Sequence, residues 1–311
     1  MKLTNFPIAL GCMGLTGTWN PAEMSAEHEK RAITAFEAAL EAGITFFDHA
    51  DIYGGGSCEE VFKKCLAAVP GSRERIQIAT KGTIGGGMYN ASEDNLNACI
   101  ERSLQRMGIE HIDLYQVHRP DPFTHPRETA RVLDKALKSG KIGAVGVSNY
   151  FPEQVRALQT FLDAPIVSNQ IAISLERLDP IYEGLEAGGT VAGKGAIGDG
   201  TLDQCMALEM TPLAYSPLGG GKLARDVKDG EASNEKQTKL RATLNEIAEK
   251  TNHTPVQVAL SWLVSHPSGI VPLVGSANPE HIREAAGAAD LRLSREDWFA
   301  LWSAAWGHNP P

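Results

Sequence analysis

The sequence is notable first for what it lacks. Lysine and arginine total 29 against 38 aspartates and glutamates, a net charge of −9. A chain without a positive field is a poor general nucleic-acid binder. No apolar run approaches the roughly 18–20 residues of a membrane-spanning helix. The opening residues Met1 to Pro7 have no apolar h-region of a signal peptide, so a cytoplasmic location is expected. The five cysteines (Cys12, Cys58, Cys65, Cys99, Cys205) are scattered and form no CxxC, which argues against a disulfide framework or zinc knuckle. Internal repeats and low-complexity tracts are absent. What remains is an ordinary globular composition, 42% hydrophobic and 22% charged over 311 residues. That is long enough for two domains of about 150 residues or one α/β barrel.

Short apolar runs alternate with amphipathic segments. The runs are 8–10, 44–47, 76–80, 112–117, 144–147, 166–170, 210–214 and 270–274. Helical spacing fills most of the intervals: 25–40 with Ile33, Phe36 and Leu40 on one face, then 57–69, 92–108, 128–139, 153–162 and 235–265. Ser57 to Glu60 reads as a capping box. Asn278-Pro279 reads as a cap followed by a first-turn proline, and Ser294 as a cap within reach of Asp297. Eight strands alternating with helices predict a parallel sheet, closed as a single-domain (β/α)8 TIM barrel spanning 1–311. The glycine-rich stretch at about 184–201 reads as a mobile inserted loop between the sixth and seventh strands.

Active sites of such barrels sit at the C-terminal strand ends. The polar residues that fall there are Asp48, Lys81, His118, Ser148, Asn149, Gln170, Tyr215 and Ser276, with Tyr53 five residues past Asp48. The segments FDHADIYG, IATKG, VHRPD, GVSN, SNQ, AYSPLGGG and VPLVGSANPEHIREA, in this order from Phe47 to Ala285, resemble the aldo-keto reductases. The phrases DHADIYGGGSCE, HRPDP, GTLDQ and LGGGKL resemble especially the bacterial YdhF-type oxidoreductases of that family.

The resemblance implies an enzyme that reduces an aldehyde or ketone by hydride transfer from NADPH, with NAD(H) possible, and without a metal. Tyr53 matches the family's general acid, Lys81 and Asp48 its charged partners, and His118 the residue that orients the substrate oxygen and shares in proton relay. A free tyrosine, with a pKa of about 10, is a poor acid at neutral pH. Lys81 is expected to lower that value, since a unit charge at about 4 Å is worth up to roughly 4 kcal/mol. On the coenzyme side the resemblance implies Ser148, Asn149 and Gln170 at the carboxamide and Tyr215 stacked on the nicotinamide. It places Ser216, Leu218, Gly220 and Lys222 around the pyrophosphate, where glycines let backbone N–H groups approach phosphates. Gly275, Ser276, Asn278, His281 and Glu284 fall at the adenosine end, beside a helix N-terminus suited to anions. Relatives often carry lysine at the position of Gly275 or Asn278 and arginine at that of His281. Dual or weakened coenzyme selectivity is therefore expected, with His281 adding charge only toward about pH 6.5. Cys12, Met13, Trp19, Ile84 and 119–125 are expected near the coenzyme or substrate.

Rival readings exist for several of these residues. A metal-dependent barrel hydrolase would present His-x-His after a strand, and DHAD does not. A cofactor-binding, redox-sensing module of the same family is the alternative to an enzyme, and the complete Asp48, Tyr53, Lys81, His118 set favours catalysis. Gly193 to Gly198 matches GxGxxG but does not follow a strand feeding a helix, as a dinucleotide fingerprint requires. The expected partner is a small carbonyl substrate, and the expected state a monomer or small homo-oligomer.

Overall fold

A computed structural model describes residues 3–182, 200–224 and 235–307. The expectations placed on the loop at 184–201 and on the GxGxxG stretch fall almost entirely outside the described residues. The eight apolar runs are strands, here β1 (Ala9–Gly11), β2 (Phe46–Asp48), β3 (Gln77–Gly82), β4 (Leu114–Val117), β5 (Val145–Ser148), β6 (Ile166–Ala172), β7 (Thr211–Tyr215) and β8 (Val271–Val274). Each pairs in parallel with its neighbours in sequence, and β1 pairs with β8 to close the barrel. Strands covered on both faces have no polar face to alternate, which is why they read as continuous apolar runs.

Helices follow where their caps place them. Asn278 Oδ1 accepts from Glu280 N at 3.0 Å and opens Pro279–Ala286. Ser294 Oγ accepts from Asp297 N at 3.1 Å and opens Arg295–Trp306. The stretch at 235–265 is two helices, Glu235–Thr251 and Pro255–Val264, separated by a Thr254 cap with proline at the first helical position. Pro126–Lys138 buries Thr129, Ala130, Val132, Leu133 and Ala136, a stripe at three- and four-residue spacing that lies on the barrel.

Two local readings are corrected. Ser57 does not cap its helix. Gly54, Gly55 and Gly56 all take positive φ, Gly56 occupies the cap position, and Ser57 is the first helical residue, its Oγ donating to Gly54 O at 2.8 Å. After β3 a small hairpin appears that periodicity did not predict: Ile84–Gly85 pairs with Met88–Tyr89 across Gly86-Gly87, both at positive φ. A two-residue glycine turn of that hand matches the twist of a hairpin. Among the described residues, no helix is long and apolar enough to cross a membrane.

The interior of the barrel is layered. Leu3 closes the bottom, beneath Ala9, Phe46, Ala79, Leu114, Leu213 and Leu273. Strand side chains alternate between faces, so the residue two further on points inward one layer higher. Phe46 is thus followed by Asp48, Ala79 by Lys81, Leu114 by Gln116, and Leu213 by Tyr215. An apolar floor carries a polar layer at the C-terminal mouth.

Candidate active site

The polar layer is built around a buried ion pair. Lys81 Nζ donates to Asp48 Oδ2 at 2.7 Å and to the His49 carbonyl at 2.9 Å, with both side chains about 1–2% exposed. Asp48 Oδ1 accepts from Gln170 Nε2 at 2.7 Å and from Gln116 Nε2 at 3.2 Å. Three donors therefore hold one carboxylate, as a buried charge requires. Gln116 was not anticipated. It sits opposite Lys81 in the β3–β4 register, and its place is made by Gly146, where a Cβ would lie 3.0 Å from Gln116 Cγ and collide with Ser168 Oγ. Its signal in the sequence was a polar residue inside an apolar run.

Tyr53 stands over this pair. Lys81 Nζ is 5.0 Å from its ring centroid, and the His118 ring meets it edge-on at 6.3 Å. The structure thus brings together all four members of the expected set. It changes their electrostatics. Burial pushes the Tyr53 phenol above its ordinary pKa; Lys81 pulls it down, and Asp48 pushes it up again. The lowering expected from Lys81 is present and is outweighed by desolvation. For Lys81 burial works against the charge, but Asp48 and then Tyr53 more than offset it, leaving the ammonium above its usual value. Burial, followed by the positive charges of Lys81 and Arg119, holds His118 down to about 3. That favours the neutral imidazole, with one ring nitrogen able to donate a hydrogen bond.

The residues expected around the coenzyme form a second network joined to the first. Ser148 Oγ donates to Gln170 O at 3.0 Å, and Asn149 Nδ2 donates to Ser148 Oγ at 2.9 Å and to His118 O at 3.3 Å. Tyr215 OH donates to Asn149 Oδ1 at 2.9 Å. Gln170 uses one amide N–H on Asp48, so it links the two networks and has less to offer a carboxamide than expected. Gly220 and Gly275 face open space. Ser216 is exposed at positive φ, Leu218 is half-buried, and Lys222 is exposed, its carbonyl accepting from Arg241 at 2.8 Å. At the adenosine end Ser276 Oγ accepts from Asn278 N at 3.1 Å, His281 is exposed and Glu284 half-buried. Arg283 is engaged by Glu280 at 2.8 Å and Glu41 at 3.0 Å. Cys12 is wholly buried with Sγ turned toward Leu10 O at 3.8 Å, so its thiol packs into the core. Met13 and Trp19 are 51% and 60% exposed, Ile84 lies in the hairpin, and Phe123 is 99% exposed.

A closed (β/α)8 barrel with a tyrosine, a lysine–aspartate pair and a histidine converging on its C-terminal mouth defines a class of oxidoreductases. Residues 7–305 match the aldo/keto reductase family, and the chain belongs to that family. It is 40% identical over 302 residues to a 6-dehydroglucose reductase of Novosphingobium aromaticivorans, covering 95% of this chain and 92% of that one. It is 34% identical over 302 residues to the oxidoreductase YdhF of Escherichia coli, covering 94% and 91%. Among solved structures, an aldo/keto reductase from Klebsiella pneumoniae in complex with NADP and acetate aligns at a TM-score of 0.73 and 25% identity, covering 98% of this chain and 92% of the other. The glycerol dehydrogenase of Gluconobacter oxydans aligns at a TM-score of 0.82 over 98% and 93%, a likeness of fold at 24% identity.

Proposed function

We propose that this enzyme reduces an aldehyde or ketone to an alcohol with NADPH, NADH being accepted as well, and that Tyr53 is the general acid. The observation that carries the reading is Lys81 Nζ, 5.0 Å from the Tyr53 ring and bonded to a buried Asp48. The residues present fit a nicotinamide dinucleotide: amide and hydroxyl groups of Ser148, Asn149 and Gln170 lie together, and glycines 220 and 275 leave open backbone. When bound, the coenzyme supplies a hydride to the carbonyl carbon.

The protein's share is the proton and the geometry. A phenol kept protonated by burial is in the correct form to donate as negative charge grows on the substrate oxygen. Lys81 has three N–H donors, two of them taken by Asp48 and His49, so the third is available to a tyrosinate as it forms. Neutral His118 supplies a hydrogen bond to the same oxygen. Gly275, Asn278 and His281 themselves carry no permanent cation and Arg283 is already paired with Glu41 and Glu280, which supports weak discrimination between the two coenzymes. The named relatives suggest a sugar carrying an aldehyde as the first substrate to try, because those at 40% and 35% identity are both 6-dehydroglucose reductases.

Tyr53→Phe tests the acid. Reduction of 6-dehydroglucose and of simple aldehydes is expected to fall by about 10²–10⁴-fold while NADPH affinity holds. The parent rate is expected to be level from above the His118 transition at about 3 up to the alkaline range where Tyr53 ionises, and to fall beyond it. A Tyr53→Phe enzyme reducing at the parent rate removes Tyr53 from the mechanism.

A further inference from the structure

The loop that carries Tyr53 has little stiffness of its own. Residues 54–56 are three glycines with φ of 58°, 64° and 102°. Glycine loses more conformational entropy on ordering than any other residue. Yet a proton donor must stay within a fraction of an ångström of its working position. Local hydrogen bonds supply part of the restraint, with Tyr53 N donating to Ala50 O and Gly55 N to Ile52 O, both at 3.0 Å.

Further restraint comes from the helix Glu93–Met107. Arg106 Nη1 donates to the Asp51 carbonyl at 2.7 Å and to Glu59 Oε2 at 3.3 Å. One turn earlier, on the same helix face, Arg102 Nη2 donates to Asp51 Oδ2 at 2.8 Å. Glu59 Oε1 accepts from Thr80 Oγ1 at 2.8 Å, and Thr80 precedes Lys81 on β3. Asp51 N also donates to Lys81 O at 2.9 Å. The Asp51 and Glu59 side chains are 1% and 0% exposed. The network thus grips Asp51 two residues before Tyr53, Glu59 three residues past the glycines, and the residue beside Lys81. Arg106 also lies against Gly56, where an added Cβ would collide with its guanidinium.

We propose that Arg106, supported by Arg102, Asp51 and Glu59, is a positioning clamp that sets the separation of Tyr53 from Lys81 and so the rate of proton donation. The proposal rests on Tyr53 being the acid. The competing explanation is a scaffold role, in which Arg106 serves only to compensate a buried Glu59.

The test avoids leaving that carboxylate alone, which is strongly destabilising by itself. The Glu59→Gln/Arg106→Met double variant removes the clamp with a neutral isostere at 59. Arg106→Lys keeps the charge without the planar fork, and Glu59→Gln alone is the control. Turnover of 4-nitrobenzaldehyde is measured against pH, NADPH binding by quenching of protein fluorescence, and unfolding by a thermal midpoint. The double variant is expected to lose about 100-fold in kcat, with NADPH Kd held within about twofold. Arg106→Lys and Glu59→Gln, each of which keeps part of the clamp, should retain intermediate rates. The alkaline limb of the kcat profile should move in the double variant, because the Tyr53–Lys81 distance has changed. The proposal is overturned if the double variant keeps kcat within about threefold of the parent with a superimposable pH profile. It is equally overturned if kcat, NADPH affinity and thermal midpoint fall together with no change in profile. Tyr53→Phe, run in parallel, separates the two claims. Parental turnover there sinks the acid assignment and the clamp with it, whereas an inactive Tyr53→Phe beside a parental double variant sinks the clamp alone.

Discussion

Of the three runs of three glycines in loops that follow barrel strands, two hold positive φ throughout, 54–56 beside Tyr53 and 219–221 in the loop after β7, whereas in 85–87 only Gly86 and Gly87 do. The surroundings of the first two differ. Gly54 and Gly56 are buried among Ser57, Thr16, Cys58 and Arg106, and the segment around them is tied by charged hydrogen bonds to a neighbouring helix. In the second run Gly219 rests on the stem of Glu176, and Gly220 faces open space. The same residues therefore do opposite things. In the first loop glycine lets the chain bend tightly enough for a dense packing to fix one side chain. In the second it leaves backbone exposed, as a surface offered to phosphates would need. The contrast extends across the mouth: the Tyr53 side holds the Lys81–Asp48 and Arg106–Glu59 ion pairs, whereas on the other side Ser148, Asn149, Gln170 and Tyr215 are neutral and Lys222 and His281 are exposed.

The sharpest break in that comparison would come from adding one methyl group to each run. Gly56→Ala must either expel the Arg106 guanidinium or distort the loop, and it also forces a side chain onto φ of 102°. It is expected to cost roughly 1–3 kcal/mol of stability and to lower kcat by an order of magnitude or more. Gly220→Ala meets only the left-handed backbone penalty, about 1 kcal/mol, and should keep kcat. Equal kcat values for the two, measured beside their thermal midpoints, would erase the distinction.

A smaller effect probes the Asp48 end of the same paired side. Gln116→Leu removes the 3.2 Å donor from Asp48 Oδ1 without changing bulk greatly. A hydrogen bond to a charged group is worth about 1.5–3 kcal/mol, so kcat should fall roughly tenfold or somewhat more, with coenzyme affinity unchanged. A drop in NADPH affinity with unchanged kcat would instead place Gln116 on the coenzyme side.

The smallest effect belongs to the exposed rim. His281→Arg adds a permanent cation at an exposed position, and NADPH should gain over NADH by about twofold to fivefold, as for an exposed ion pair. A parent enzyme that already strongly prefers NADPH at every pH would show that the coenzyme side is less neutral than its side chains suggest.

Much of this was legible in the residues. The eight apolar runs, the polar residues at or near the ends of seven of them, and the caps at Asn278 and Ser294 are local patterns that can be read from neighbouring residues. The misreadings share one cause. Ser57 resembled a cap because its spacing to Glu60 is correct, but three left-handed glycines ahead of it moved the helix start. Arg102 and Arg106 drew no reading at all, since nothing nearby in sequence marks Asp51, 51 and 55 residues away, as their partner. The Tyr53 phenol was expected to be acidified by Lys81, because charge can be read from residue types while desolvation cannot.

Alternation by two residues along each strand, and the order of strands and helices, were sufficient to say that Asp48, Lys81, Gln170 and Tyr215 would crown a closed barrel. Those features depend on neighbours within a few positions, and the chain states them directly. Which amides would hold Asp48, which arginines would grip the Tyr53 loop, and whether burial or a nearby ammonium would govern the phenol were decided only when distant segments met. Contacts across tens of residues and the loss of water around a charge are properties of the packed interior.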